Sequence, residues 1–177
     1  MAHLTQCADP WGQLMHSNGN PVPMDQMRDL ALFAAMDEDS LAAIAQRGWV
    51  VEHKRGMRVV GRGERLEGLY TVLEGRLKLY MLSCQGDERV LRILEPGATF
   101  GEAIMFNAIP SPVFVDTLSA ARLAYFPRSV ISEALARDPQ FTQAMLQSMS
   151  GIMRLLIQDL ETCCLQNARQ RIVNYLL

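Results

Sequence analysis

Residues 69–97 read LYTVLEGRLKLYMLSCQGDERVLRILEPG, a stretch in which short apolar runs are separated by turn-forming residues. On both sides of Gly75 the side chains alternate between apolar and polar, which is the period of a half-buried strand. One face comprises Leu77, Leu79 and Met81, and the other comprises Arg76, Lys78 and Tyr80. SCQGDE, residues 83–88, has the composition of a turn, RVLRIL returns as a strand, and EPG turns the chain again. The stretch therefore predicts a hairpin or a sheet corner, followed by a second hairpin.

Glycines continue this rhythm on both sides of the stretch. They recur at short intervals from residue 56 to residue 101, where they separate apolar runs, at positions 56, 63, 68, 75, 86, 97 and 101. Many short strands with regularly placed turns are typical of an all-β roll or sandwich. We therefore expect residues 50–126 to form one such unit.

Helical periodicity frames the predicted strands. Before them, a helix is expected over Asp39–Gln46, capped by Asp37 or Asp39 and ended by Gly48 as a left-handed C′ residue. After them, Val130–Ala136 predicts a short helix. Asp138 followed by Pro139 is the start signal of a long helix that extends to about Cys164.

The long helix carries two apolar stripes. One stripe has the 3-4 spacing of a coiled-coil seam and comprises Leu146, Met149, Met153, Leu156, Leu160 and Cys163. The other comprises Phe141, Met145, Ile152 and Leu155. A helix that is apolar on two faces needs two partners, and we expect one to be the chain's own roll and the other the same helix of a second copy. The alternative is a helix packed wholly inside one chain.

Composition limits the classes of function. The formal net charge of −2 and the isoelectric point near 5.9 argue against a main surface that binds nucleic acid or an anionic membrane. The sequence contains neither a signal peptide nor an apolar run of about 18 residues, so we expect a cytoplasmic protein with no membrane partner. Four scattered cysteines and three histidines form no metal-binding motif, and no catalytic residue or metal site is predicted.

Residues 53–106, HKRGMRVVGRGERLEGLYTVLEGRLKLYMLSCQGDERVLRILEPGATFGEAIMF, resemble a known family. They are similar to the cyclic-nucleotide-binding β-roll of the cyclic-AMP receptor protein and fumarate-nitrate-reduction regulator superfamily of bacterial transcription factors. The likeness rests on Gly56, Gly63, LYTVLEGRLKLY with its Gly75, the Pro-Gly pair at 96 and 97, and FGE at 100–102. It extends over about residues 30–177.

The resemblance implies an α+β protein, in which a cyclic-nucleotide-binding-like β-roll (a double-stranded β-helix jelly roll) carries flanking short helices and a long C-terminal dimerisation helix. It divides the chain into a flexible extension (1–24), an effector-sensing roll (25–136), the dimerisation helix (137–165) and the start of a truncated DNA-binding domain (166–177). The implied partners are a second copy, a small effector and, in the full-length protein only, a DNA operator and RNA polymerase through a helix-turn-helix.

The resemblance also places an effector site. Its expected residues are Gly101, Glu102, Ala103, Ser111, Pro112, Val113 and Leu156. In nucleotide-binding relatives a glutamate at the position of Glu102 accepts from the ribose, and an arginine about ten residues later neutralises the phosphate. Here Ser111 and Pro112 stand at the arginine and at the small hydroxyl residue that follows it, and neither supplies a charge.

Further departures from the family pattern point in the same direction. Leu156 and Ile157 replace the Thr-Ser pair that relatives offer to the adenine. We therefore expect an apolar effector or none, and not cyclic AMP. Glu102 then either stabilises its own loop, accepting backbone N–H bonds, or orients a different effector. Nearby apolar side chains form either a pocket or part of the core, namely Met105, Phe106, Ile109, Val113 and Phe114.

The cofactor stays open from the sequence. An iron–sulfur cluster needs about four thiolates, and the N-terminal region has Cys7 alone. The stretch from Phe100 to Phe126 resembles the denitrification-regulator branch most closely, which makes haem a candidate with His16, His53 or one of the cysteines as a ligand. The sequence does not determine whether haem is bound.

Other functions fit the sequence less well. A cyclic-nucleotide module of a channel or kinase is disfavoured by the missing phosphate arginine, and a cupin-like metal enzyme by the absence of any histidine after His53. A dimerisation module without a ligand is compatible with every feature. The leading hypothesis is a homodimeric, non-enzymatic sensor domain of a transcription regulator.

Overall fold

The computed structural model describes residues 20–165, and the side-chain environments through residue 161. The predicted start of a DNA-binding domain at 166–177, the side chains of Cys7, His16 and Cys163, and residues 1–19 of the predicted extension lie outside the described part. The strands are β1 (Trp49–His53), β2 (Arg58–Val60), β3 (Gly68–Glu74), β4 (Leu77–Leu82), β5 (Glu88–Leu94), β6 (Thr99–Phe100), β7 (Phe114–Thr117) and β8 (Ala121–Pro127). The helices are α1 (Met24–Arg28), α2 (Glu38–Arg47), α3 (Glu102–Asn107), α4 (Arg128–Arg137) and α5 (Pro139–Leu165).

The strands form two four-stranded antiparallel sheets. The first sheet has the order β1-β8-β3-β6 and the second the order β2-β7-β4-β5. Apolar side chains between them make the inner core, which includes Val72, Leu77, Leu94 and Leu123. The predicted β-roll with flanking helices and a long C-terminal helix is therefore confirmed.

The chain changes sheets at Gly75. Because β3 and β4 belong to different sheets, this part of the predicted hairpin or corner is a corner. Gly75 has a φ of 86°, and a Cβ there would lie 2.3 Å from the carbonyl oxygen of Ala120. Only glycine allows both this conformation and this close approach. The second predicted hairpin is present as β4 and β5.

The two faces of β4 follow the predicted alternation, but their burial does not. Tyr80 is buried on the outer side of its sheet, because its ring stacks on Phe114 and Lys78 lies over it. Met81, on the face expected to be buried, is exposed. Burial of this hairpin depends on which neighbours cover each face, and the alternation of residue types does not determine those neighbours.

A second core lies between the helices and the outer face of the first sheet. Phe33 contacts Phe126 and Phe141 there, with ring centroids 5.3 Å and 5.8 Å apart. Val22 is buried in the same core, and Pro21 pairs with Trp49. The part of the expected flexible extension that starts at Asn20 is therefore packed, because its apolar side chain at Val22 has a place in this core.

The helix ends follow the start signals better than the stop signals. Asp37 accepts from the Ser40 N–H at 2.8 Å, as expected for the cap of α2. Gly48 is not a left-handed C′ residue, since its backbone is extended with a φ of −99°. The structure requires glycine there for space, because a Cβ would lie 2.5 Å from the ring of Phe126.

The long helix leaves the core after its first two turns. Asp138 caps it by accepting from the N–H groups of Gln140 and Phe141. Phe141 and Met145 are buried against the other helices, whereas Leu155 of the same predicted stripe is exposed. Between residues 20 and 165, no helix has the length and apolar character needed to cross a membrane.

Candidate effector site

The predicted effector residues begin at the junction of β6 and α3. Gly101 joins these elements with a φ of 101°, and Ala108 ends α3 with a φ of 53°. A loop of five residues, 109–113, then leads into β7. We call this β6–α3–loop segment, residues 99–113, the cassette. The cassette is therefore a compact connection between β6 of the first sheet and β7 of the second, with a left-handed residue on each side of its six-residue helix.

Glu102 is buried and accepts a hydrogen bond from the Thr99 hydroxyl. Thr99 pairs with Thr71, which alternates along β3 with the inner-core residues Tyr70 and Val72. Thr99 and Thr71 therefore lie on the outer, helix-facing side of the first sheet. Glu102 thus accepts from a side-chain hydroxyl and not from the backbone N–H groups expected for a purely structural carboxylate. The Thr99 hydroxyl lies on the side of the sheet away from the roll interior.

Ser111 is buried and makes its hydrogen bonds within the protein. Its N–H donates to the Glu64 carbonyl and its carbonyl accepts from the Gly63 N–H, both at 2.7 Å. Its hydroxyl donates to the Val113 carbonyl at 2.8 Å. Pro112 beside it is exposed. These contacts join the cassette to the β2–β3 loop, and the two residues add no positive charge.

The apolar residues considered as a pocket do not lie together but are distributed over different parts of the structure. Met105 is buried in the helical core and Phe106 packs against it. Phe114 lies on the outer face of the second sheet, with the Arg58 guanidinium 4.7 Å from its ring centroid. Ile109 is exposed. The core interpretation therefore describes Met105 and Phe106 better than the pocket interpretation does.

An open cleft lies beside α3. Its volume is about 330 Å³, and Met105 and Ile109 line it together with Leu66 and the start of α4. Arg65, at its edge, donates to the carbonyl of Ala108 at 3.4 Å. The cleft lies outside the roll, and Gly101, Glu102 and Ser111 do not line it.

The α5 residues expected at the site are exposed. Leu156 and Ile157 have 40% and 59% of their surface accessible. The contacts of α5 in the described chain are concentrated on α4, which packs against its first turns. The structure thus brings Gly101, Glu102 and Ala103 together at the start of α3, with Ala103 exposed, but it does not bring Leu156 to them.

His53 is the histidine that the structure describes, and it does not fit a ligand role at the cassette. It pairs with Ala121, whereas Trp49 belongs to a row with Tyr125, Tyr70 and Phe100 that ends beside Gly101. Four residues of strand separate His53 from this row, about 13 Å at a rise of about 3.3 Å per residue. Burial lowers the pKa of His53 and favours the neutral imidazole. In the described residues, the cassette has neither histidine nor cysteine to hold a haem iron.

Sequence reasoning missed a polar network on the outer face of the second sheet. Arg58 donates to Asp116 at 3.0 Å and to the Tyr80 hydroxyl at 2.8 Å, and Tyr80 donates to Asp116 at 2.7 Å. Burial raises the pKa of Asp116, but the hydrogen bonds from Arg58 and Tyr80 outweigh it and lower the pKa overall. The signal was Asp116 itself, a carboxylate between Val115 and Thr117 in an otherwise buried strand pattern.

The comparisons with known proteins agree with this fold. The family model described as cyclic nucleotide-binding domain matches residues 50–138. The CRP-like cAMP-activated global transcriptional regulator of Mycobacterium tuberculosis is 23% identical over 146 residues, which are 82% of this chain and 65% of that protein. The fumarate and nitrate reduction regulatory protein of Escherichia coli is 27% identical over 109 residues, which are 58% of this chain and 42% of that protein.

A solved structure gives the same architecture. The sensor domain of the transcriptional regulator DNR from Pseudomonas aeruginosa superposes with a TM-score of 0.66 at 22% identity, and the match covers 80% of this chain and 95% of that one. The chain thus spans less than two thirds of the curated regulators described above but nearly all of an isolated sensor domain. Because the family model covers half of the sequence and the relatives are regulators of the CRP and FNR type, the chain belongs to the cyclic nucleotide-binding domain family, with homology to CRP/FNR regulators.

Proposed function

We propose that this chain is the sensor and dimerisation part of a bacterial transcription regulator, and that its effector is not cyclic AMP bound in the manner of the family. The relatives named above are transcription regulators, which supports the general role.

The observation that carries the proposal is the state of Ser111. Its N–H, carbonyl and hydroxyl are all hydrogen-bonded to the protein, and the next residue is a proline without an N–H. A cyclic phosphate placed here would meet no guanidinium at these positions. Burying a phosphate charge without a counter-charge costs several kcal/mol, which would make specific binding of cyclic AMP at this place weak.

The long helix supports the dimeric part of the proposal. From Leu146 to Leu160, the residues of the predicted seam described by the structure are 37% to 63% exposed. An apolar stripe of this length needs a partner, and a second copy of α5 related by a two-fold axis provides a matching one. DNA and RNA polymerase would be partners of the regulator as a whole.

The proposed mechanism is a two-state shift. An effector that binds the roll more tightly in one arrangement of α5 would favour that arrangement in both subunits. The change would pass through α4, which packs against the first turns of α5 and ends at the Asp138 cap. We assign no step to haem, since the cassette in the described residues offers no ligand for its iron.

Isothermal titration with cyclic AMP tests the proposal. A specific site with a micromolar Kd would be nearly filled at a cyclic AMP concentration about a hundred times that Kd. Up to this concentration we expect no saturable heat. A hemin titration of the same sample, followed by its Soret absorption, provides a non-nucleotide comparison. Saturable cyclic AMP binding that Ser111→Ala or Glu102→Gln weakens would contradict the proposal.

A further inference from the structure

Arg92 lies on the inner face of the roll. In the second sheet it pairs with Leu79, which pairs on its other side with Val115. Leu79 packs against the inner core and Val115 belongs to it. Because directly opposed residues in an antiparallel pair point to the same side, the row Val115, Leu79, Arg92 faces the roll interior.

On β5 the usual arrangement of apolar side chains inside and charged side chains outside is reversed at Arg92. The apolar side chains near it on β5 are more exposed than expected: Ile93 is 47% exposed and Val90 is 46% exposed. Arg92 itself is partly buried. On β4, Leu79 pairs with Arg92 and the next residue, Tyr80, pairs with Val90. Leu91 is therefore an extra residue in β5 and forms a β-bulge. Bulges that redirect side chains occur often beside functional sites, and a local violation of the apolar pattern commonly marks such a site.

Arg92 also differs from other arginines of the sheets in its partners. Arg58 is paired with Asp116, and Arg122 is paired with Glu74 and Glu52. For Arg92, the structure from residue 20 to residue 161 contains neither an ion pair nor a hydrogen bond of the side chain. Arg92 is only partly buried and no protein group occupies its guanidinium in this part of the chain, so an anion that reaches it can form a charge-assisted pair without displacing a partner.

The position of Arg92 relates it to the cassette. The cassette loop leads directly into β7, and β5 lies two strands away from β7, a separation of about 9–10 Å. Arg92 lies in the row of Val115, so a ligand at Arg92 would lie beside the strand that follows the cassette, within about 10 Å of Val115. The cassette has no charge at Ser111 and Pro112, while the β4–β5 hairpin, in the same sheet as β7, directs one toward the roll interior.

We propose that Arg92 is the anion-binding residue of the effector site. The ligand class is a small organic anion, in which a carboxylate, sulfonate or phosphate pairs with the guanidinium and an apolar body lies against Leu79. This inference rests on the proposed sensor function and specifies its ligand. It moves the charge recognition from the cassette to β5.

Two fluorescent probes with nearly the same apolar body test the inference. 8-Anilinonaphthalene-1-sulfonate carries an anionic group, and N-phenyl-1-naphthylamine lacks it. Each is titrated into the full chain and into Arg92→Gln, Arg92→Lys and Arg76→Gln, the last an exposed arginine at the β3–β4 corner. Circular dichroism confirms that each variant is folded.

We expect the wild type to bind the sulfonate more tightly than the neutral probe. Arg92→Gln should weaken the sulfonate about tenfold, the effect of losing one charge-assisted hydrogen bond, and leave the neutral probe unchanged. Arg92→Lys should keep part of the preference, and Arg76→Gln all of it.

Equal effects of Arg92→Gln on both probes, an equal effect of Arg76→Gln, or the absence of saturable sulfonate binding would overturn the inference. Sedimentation and the cyclic AMP titration on the same Arg92→Gln sample separate the two proposals. If the protein is dimeric and does not bind cyclic AMP while Arg92 is without effect, only the assignment of Arg92 fails.

Discussion

Thr99 donates its hydroxyl proton to the buried carboxylate of Glu102, and so joins the last strand before α3 to the first residue of that helix. The hydrogen bond spans Gly101, whose left-handed backbone makes the tight turn between them. In this arrangement the carboxylate is held by the protein itself. An effector that used Glu102 would first have to compete with Thr99.

Thr99→Val is expected to destabilise the protein by about 1–3 kcal/mol, because it removes the donor to a buried carboxylate while conserving shape. Urea unfolding followed by circular dichroism measures the loss. Glu102→Gln is the matched control, since its amide oxygen still accepts from Thr99 and its loss should be smaller. An unchanged midpoint for Thr99→Val would show that the hydrogen bond contributes nothing to the fold.

Ser111→Ala is expected to lower the unfolding free energy by about 1 kcal/mol, the usual net contribution of one hydrogen bond. The serine hydroxyl donates to the Val113 carbonyl at 2.8 Å and accepts from the Val113 N–H at 3.3 Å, and the shorter of these two bonds is the main loss. Pro112→Ala, at the exposed neighbouring position, serves as the control and should change stability by less than about 0.5 kcal/mol. Equal losses in the two variants would refute a specific role of the hydroxyl in the cassette.

Leu156→Asp is expected to convert the proposed dimer into monomers at micromolar concentration, since it places two like charges near the two-fold axis of an apolar seam. Analytical ultracentrifugation gives the mass. The substitution should leave the monomer folded, because Leu156 is exposed in the single chain. Gln147→Asp puts the same charge on an exposed position outside the seam and should leave the dimer intact. A wild type that is monomeric would contradict the assignment of the seam.

Acidification is expected to destabilise the protein partly through His53. Burial lowers the pKa of His53 in the folded state below its usual value of 6.5. The unfolded chain therefore takes up the proton first as the pH falls, so stability is complete above about pH 6.5 and decreases as the pH approaches the folded pKa. Melting temperatures at pH 7.5 and 5.5, for the wild type and His53→Gln, measure the effect. The drop should be smaller in the variant, and identical drops would mean that His53 does not contribute.

Local patterns in the sequence determined much of this structure. Alternating side chains and regularly placed glycines predicted the roll, and Asp138 with Pro139 predicted the start of α5, because these signals act on neighbouring residues through backbone conformation and hydrogen bonding. The same patterns, with the FGE motif, were enough to identify the family.

The candidate site depended on contacts between residues far apart in the chain. The apolar residues near the cassette were separated among a core, a cleft and an outer face, because the fold of the sheets decides which side each one meets. Gly48 proved necessary for the space taken by Phe126, and not for its own conformation.

The sequence by itself thus determined the class of fold and the N-terminal cap of the long helix. Only the tertiary structure decided that Glu102 is held by Thr99 and that Arg92 points into the roll. The first depends on the turn at Gly101, and the second on a one-residue bulge in strand pairing. Register shifts of this kind change the face of a side chain without changing its residue type, so the pattern of residues does not record them.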